Sequence, residues 1–114
     1  MGVSATNAQY VTIPDANFAA YLNTIIPSAM SGNQMDTTNV AVANLTSVNV
    51  ENSGIADLSG VQYFRNLVTL DCGNGSPSID SNHITSLPAP LATTLDTLIC
   101  GNNQIQTCPL YHPD

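Results

Sequence analysis

The residues of this chain that could do more than hydrogen-bond are few: Cys72, Cys100, Cys108, His83 and His112. A zinc site draws its ligands from closely spaced pairs. Here Cys72 to Cys100 spans 28 residues and Cys100 to Cys108 spans 8, with no Cys-x-x-Cys. The two histidines stand far apart, and neither belongs to a His-Glu-x-x-His run. Ser81 lies close to His83 but lacks the Gly-x-Ser-x-Gly frame that exposes a nucleophile. Nucleophilic catalysis also needs a base and an orienting acid around that serine. The pattern supplies neither, so no catalytic residue is expected. An oxygen-rich stretch, GNGSPSIDSN from Gly73 to Asn82, follows Asp71 and brings Asn74, Asp80 and Asn82 together. Calcium takes about six to eight oxygen ligands. Only two carboxylates are present, in an order unlike the helix-loop-helix calcium motif. The stretch reads as a solvated surface loop, and no metal or other cofactor is expected.

The cysteines make better sense as parts of a repeat. Leu95 to Ile105 reads LxxLxCxxNxI, with Leu95, Leu98, Cys100 and Ile105 apolar and Asn103 at a turn. Leu67, Leu70 and Cys72 open the same phrase earlier, and Asn82 and Ile84 close it after an insertion. Leu45, Val48, Val50 and Ile55 fit it once more, with Ser53 in the asparagine position. Val48 to Leu70 spans 22 residues and Leu70 to Leu98 spans 28. The middle copy holds 7 extra residues between its cysteine and its asparagine, so the base period is 21. In an extended strand, alternation sends Leu70 and Cys72 inward and Thr69, Asp71 and Gly73 outward. An asparagine three residues past the strand can bond turn backbone groups that no strand partner reaches. Ser53, Asn82 and Asn103 would then form a structural ladder along the turns, and each coil would be stable only with a neighbour stacked on it. Cys72 and Cys100 share one inward position a coil apart. A bridge between them would be strained, and both are read as buried free thiols acting as small apolar residues.

These phrases resemble bacterial leucine-rich repeat proteins. Ser53 to Cys72 is similar to the internalin-type repeat, IxDLxGVxxFxNLxxL, through Ile55, Asp57, Leu58, Gly60, Val61, Phe64, Asn66, Leu67 and Leu70. Ile84 to Ile105 is similar to the Pro-rich short bacterial repeat, in which LPxPL replaces a helix. The resemblance covers Leu45 to Cys108. It departs from the family where cysteine replaces leucine and at the insertion Gly75 to Ser81. It implies an α/β repeat fold: a right-handed leucine-rich repeat solenoid with about three parallel strands and an N-terminal helical cap. It also implies a secreted or cell-surface bacterial protein that is adhesin-like in its binding.

The remaining segments are read around that frame. Residues 1–9 are a signal-peptide remnant or flexible tail, with small residues suited to cleavage after Ala8. Residues 10–44 are the cap, and 45–114 a truncated array of repeats. Val11 to Ile13 is extended, and Pro14-Asp15 signals a helix start. Phe18, Tyr21, Leu22, Ile25 and Ile26 form an amphipathic stripe that Pro27 ends. Ser28 to Asn39 is expected as a polar connector with Gly32 as a hinge. Val40 to Asn44 is expected as a short helical turn capped by Asp36 or Thr37. Asn44 and Asn74 begin Asn-x-Ser/Thr acceptor motifs, which mean little in a bacterial chain. Asp36-Thr37-Thr38 and Asp96-Thr97-Leu98 resemble a short bacterial O-glycosylation signal.

Charge narrows the partners. The net charge is −7, and Arg65 is the only lysine or arginine. Neutralising nucleic-acid phosphates or anionic lipid needs cationic clusters that this chain lacks. No apolar run reaches the roughly 18 to 20 residues of a membrane span. The expected binding surface is the concave strand face: Ser47, Asn49 and Glu51; Thr69, Asp71 and Gly73; Thr97, Ile99 and Gly101. A protein or glycan ligand is expected there, without chemistry. The alternatives are a structural spacer or cap of a larger surface protein, and a calcium-stabilised fragment of an exported enzyme. The chain ends at QTCPLYHPD, before any polar capping helix, which predicts self-association through the open end or a longer array.

Overall fold

Asp15 decides where the first helix begins. In the computed structural model, which describes residues 9–73, 82–88, 91–101 and 103, its Oδ1 accepts from the amides of Asn17 (2.9 Å) and Phe18 (3.1 Å). A helix leaves such amides unbonded at its start, and a short carboxylate satisfies them. Helix α1 spans Ala16–Ile25 and buries Phe18, Ala19 and Leu22. Tyr21 is half-buried, Ile26 is buried just past the helix, and Ile25 is exposed. Pro27 cannot continue the helix and opens a 3₁₀ turn, Pro27–Ala29.

The stretch expected as a connector forms a hairpin. Strand β1 (Tyr10–Thr12), β2 (Met30–Ser31) and β3 (Gln34–Asp36) make an antiparallel sheet in the order β1-β3-β2. Gly32, at φ 60°, occupies the left-handed region that the turn between β2 and β3 requires. Met35 on the central strand is fully buried, and Val11 and Met30 pack against the core from its neighbours. Helix α2, Val40–Asn44, follows. Its cap is Asn39, whose Oδ1 accepts from Ala41 N at 2.8 Å. Asp36, expected in that role, instead accepts from the amide and hydroxyl of Thr38.

The second sheet is parallel, with β4 (Ser47–Asn49), β5 (Thr69–Asp71) and β6 (Thr97–Ile99) in the order β4-β5-β6. Val48 pairs with Leu70, and Leu70 with Leu98. Backbone bonds extend the pairing on both sides. Val68 N donates to Thr46 O and Asp96 N to Val68 O, both at 2.7 Å. Val50 N donates to Asp71 O and Cys72 N to Ile99 O, both at 2.8 Å. Inward residues Val48, Val50, Leu70, Cys72, Leu98 and Cys100 join Phe18, Met35 and Phe64 in one core.

The expected right-handed leucine-rich repeat solenoid with a helical cap is overturned. The described chain holds two helices and two small three-stranded sheets, one antiparallel and one parallel, with no solenoid evident. Residues 10–44 contribute a whole antiparallel sheet besides their helices. The parallel strands are three residues each. The returns between them differ: one carries a 3₁₀ turn at Val61–Tyr63, while the described part of the other has no regular element. A repeat array grows by stacking one unit on copies of itself, and here the first coil packs on a different structure.

Side chains tie the two parts together. Asp15 Oδ2 accepts from Ala56 N (2.8 Å) and Asp57 N (3.1 Å). Asn17 Nδ2 donates to Gly54 O at 2.9 Å, and Asn66 Nδ2 to Ala43 O at 2.7 Å. At Gly60 (φ 112°) a Cβ would collide with Ile13 Cδ1, so the absence of a side chain is what lets the two sheets close on each other.

Candidate functional site

The outward side of the parallel sheet is the surface on which the sequence placed a ligand. Register puts Ser47, Thr69 and Thr97 in one row and Asn49, Asp71 and Ile99 in the next, with neighbouring strands about 4.8 Å apart. Ser47 and Asn49 are exposed, Thr69, Thr97 and Asp71 partly so. Ile99 is 43% exposed, large for an isoleucine on a strand. Among the described residues, nothing internal takes the hydroxyls of Ser47, Thr69 and Thr97.

The second row also serves the fold. Asn49 Oδ1 accepts from Glu51 N and Asp71 Oδ1 from Gly73 N, each at 3.2 Å. Both side chains thus close the turn that ends their own strand. Asn49 N–H donates to the hydroxyl of Tyr21 at 3.0 Å, which pins the outer edge of β4 to α1. The expected third row does not form. Glu51 is exposed on a turn. Gly73 is buried, and a Cβ there would meet Ile99 Cγ2 at 3.2 Å and Gly101 N at 3.4 Å. Gly101 is exposed and open. Gly73 therefore presents no side chain to a ligand, because regular alternation stops where β5 ends at Asp71.

What makes this face rigid is the pair of asparagines beneath it. Asn82 is 2% exposed. Its Oδ1 accepts from Ser53 N (3.1 Å) and Ile55 N (2.8 Å). Its Nδ2 donates to Val50 O (2.8 Å), Cys72 O (3.1 Å) and Gly73 O (3.4 Å). Asn103 does the same one coil on. It accepts from Ile84 N (3.0 Å) and donates to Cys72 O (2.8 Å), Cys100 O (3.2 Å) and Gly101 O (3.4 Å). Ser53 stands at the corresponding place in the first coil, but its hydroxyl only reaches Glu51 O at 3.2 Å. An amide carries a donor and an acceptor on one rigid plane, so it can join carbonyls of one turn to amides of the turn before. A hydroxyl as short as serine's does not span that gap. On the far side of the coils, Thr94 Oγ1 donates to Leu67 O at 2.8 Å, as Asn66 does to Ala43 O. Both precede the first leucine of their copy, a repeated polar position that the spacing already contained.

The cysteines separate in kind. Cys72 is free and buried. Burial, with the Asp71 carboxylate adding to it, pushes its thiol up to about 12. It stays protonated at neutral pH and behaves as a small apolar residue. Cys100 is disulfide-bonded, which corrects the expectation of a second free thiol. Its partner is not Cys72. His83 is exposed, and its N–H donates to Ile55 O at 2.7 Å. Ser81, Cys108, His112, Asn74, Asp80, the insertion 75–81 and the signal-like residues 1–8 lie outside the described residues. Among the described residues, no group of three or more His, Cys, Asp or Glu could hold a metal ion. No helix there is long and apolar enough to cross a membrane.

Sequence reasoning missed the outward face of the antiparallel sheet. Tyr10, Thr12, Ser31, Gln34 and Asp36 share it, since cross-strand partners point to the same side. The signal was present in Met30-Ser31-Gly32-Asn33-Gln34-Met35, two short runs around a Gly-Asn turn. No protein-family model matches the chain, and no curated protein matches it.

Proposed function

We propose that this chain is a non-catalytic binding module that recognises a protein or glycan with the outward face of β4, β5 and β6. The observation that carries the reading is the row Ser47, Thr69 and Thr97. Three hydroxyls stand in register on a sheet held stiff by Asn82 and Asn103, and none is engaged within the described residues. Preorganised polar groups cost little ordering entropy when a ligand arrives. The neighbouring Ile99 offers an apolar contact at one end of the face. Cationic anchors are lacking, so the reading favours neutral or basic ligands over phosphate-bearing ones.

Export is part of the proposal. Disulfides persist in oxidising compartments, and the bond at Cys100 supports a secreted or cell-surface location. The similarity of the repeated phrases to secreted bacterial leucine-rich repeat proteins supports the same reading. A second reading, a structural spacer within a larger surface protein, is favoured by one observation: Asn49 and Asp71 already bond their own turns.

A glycan array and a displayed library of extracellular protein domains, probed with the parent chain and with Thr69→Arg/Thr97→Arg, separate the two. Binding by the parent that the double variant loses, with its melting temperature kept, is the expected result. A parent that retains nothing from either collection leaves the spacer reading in place.

A further inference from the structure

The antiparallel sheet turns a different kind of surface outward. A cavity of about 420 Å³ opens against Tyr10, Ser31 and Gln34, one residue from each strand. That volume lies within the roughly 300 to 1,000 Å³ of small-molecule clefts. Tyr10 is 53% exposed, more than any other aromatic side chain among the described residues. An exposed tyrosine ring presents an apolar face with a polar tip, the combination found where one side of a ligand is apolar and its rim is wet. Gln34 Nε2 donates to Thr12 Oγ1 at 2.8 Å. That bond fixes the amide plane and leaves the carbonyl oxygen and a second N–H for a ligand. Ser31, exposed on the edge strand, adds a hydroxyl.

Charge selects among ligands that match this set. Asp36 pairs with Tyr10 across the sheet, and its carboxylate repels anions. Arg65 is the only lysine or arginine in the chain, and it does not line the cavity. A molecule with an apolar ring face, hydroxyls around its rim and no negative charge is a neutral sugar. We propose that the outward face of the antiparallel sheet is a second binding site, which takes a neutral pyranoside stacked on Tyr10 and hydrogen-bonded by Gln34 and Ser31. This site is separate from the parallel-sheet face and goes beyond the function assigned to it.

Saturation-transfer NMR of the full chain tests it, with the methyl pyranosides of glucose, galactose, mannose and N-acetylglucosamine as probes and methyl glucuronide as the charged control. At least one neutral sugar should receive transfer on its ring C–H protons, with a Kd of about 1 mM. The glucuronide should bind roughly tenfold more weakly than the matching glucoside. Tyr10→Ala should weaken binding roughly tenfold or more, Tyr10→Phe should retain it, and Ser31→Arg, at an exposed edge position, should block it without unfolding the chain. Thr69→Arg/Thr97→Arg should change nothing. Silence from every neutral probe overturns the proposal, as does binding indifferent to both Tyr10→Ala and Ser31→Arg. Loss of sugar binding in the Thr69/Thr97 variant alone would move the sugar to the parallel sheet, overturning this site while strengthening the function proposed above.

Discussion

The two sheets solve the same backbone problem by different means. In the antiparallel sheet, β2 and β3 are joined by the Gly32 turn, and close neighbours in sequence satisfy each other. In the parallel sheet each strand's partner lies 22 or 28 residues away, and the chain must turn back between them. The carbonyls and amides of those turns have no strand to pair with. Side-chain amides take their place: Asn82 and Asn103 each join one turn to the next. A hairpin needs only a residue that tolerates its turn, whereas a parallel stack needs a side chain that substitutes for backbone.

That contrast is broken most directly at Asn82. Replacing it with alanine leaves Val50 O, Ser53 N and Ile55 N without their printed partners in a buried setting. Each unpaired buried group costs about 1–3 kcal/mol, so Asn82→Ala should lower stability by about 3 kcal/mol or more, read as a shift of the urea midpoint. Asn82→Asp should be nearly as damaging, because it keeps the acceptor and sets a second oxygen against carbonyls. The matching change in the hairpin, Gln34→Ala, removes an exposed bond to Thr12 and should cost less than about 0.5 kcal/mol. Equal losses at the two positions would refute the distinction.

Two residues at the seam sharpen it. Gly60→Ala places a side chain at φ 112° and into Ile13 Cδ1, and should cost about 2 kcal/mol or more through backbone strain and repacking. Asp15→Ala frees four amides: Asn17 and Phe18 at the start of α1, and Ala56 and Asp57 on the coil opposite. A cap alone is worth about 1 kcal/mol, so about 2 kcal/mol is expected if the bridging half contributes as well. Hydrogen exchange locates the loss. Protection should fall at Ala56 and Asp57 as well as in α1, and a change confined to the helix would reduce Asp15 to an ordinary cap.

How far the sequence reached follows from the same physics. The recurrence of Val48, Leu70 and Leu98, with Asn82 and Asn103 at matching places, was legible because a stack needs the same chemistry at the same step. The architecture around it was not. A repeat specifies how one coil meets its neighbour and says nothing of what covers the first coil, so a solenoid was expected where the first coil meets an antiparallel sheet and α1. Strands of two and three residues, with Met30 and Met35 as their inward positions, are too short for alternation to stand out from a polar connector. Asp36, Thr37 and Asn39 are all capping residue types, and only the backbone at Asn39 (φ −68°, ψ 141°) settles which one caps α2. Gly73 was placed outward by an alternation that ends with β5 two residues before it. The oxidation of Cys100 was not legible either, because the same inward position at Cys72 holds a free thiol.

The smallest expected effect belongs to the hairpin side and depends on pH. The Asp36 carboxyl lies below its ordinary value of 3.8, chiefly because the Thr38 hydroxyl and then the Thr38 amide donate to it. A carboxyl lowered on folding binds its proton more weakly in the folded chain than in the unfolded one. Its contribution is therefore complete above 3.8 and disappears as pH falls through the lower folded value. The bonds concerned are exposed, so solvent screens them and the effect is modest. Asp36→Asn keeps an acceptor for Thr38 but removes the titrating charge. The parent should melt slightly higher than this variant at about pH 6, and the gap should close by about pH 2.5. A gap that persists in acid would assign the difference to packing at the end of β3 and not to the carboxylate, and one that widens would reverse the sign of the linkage.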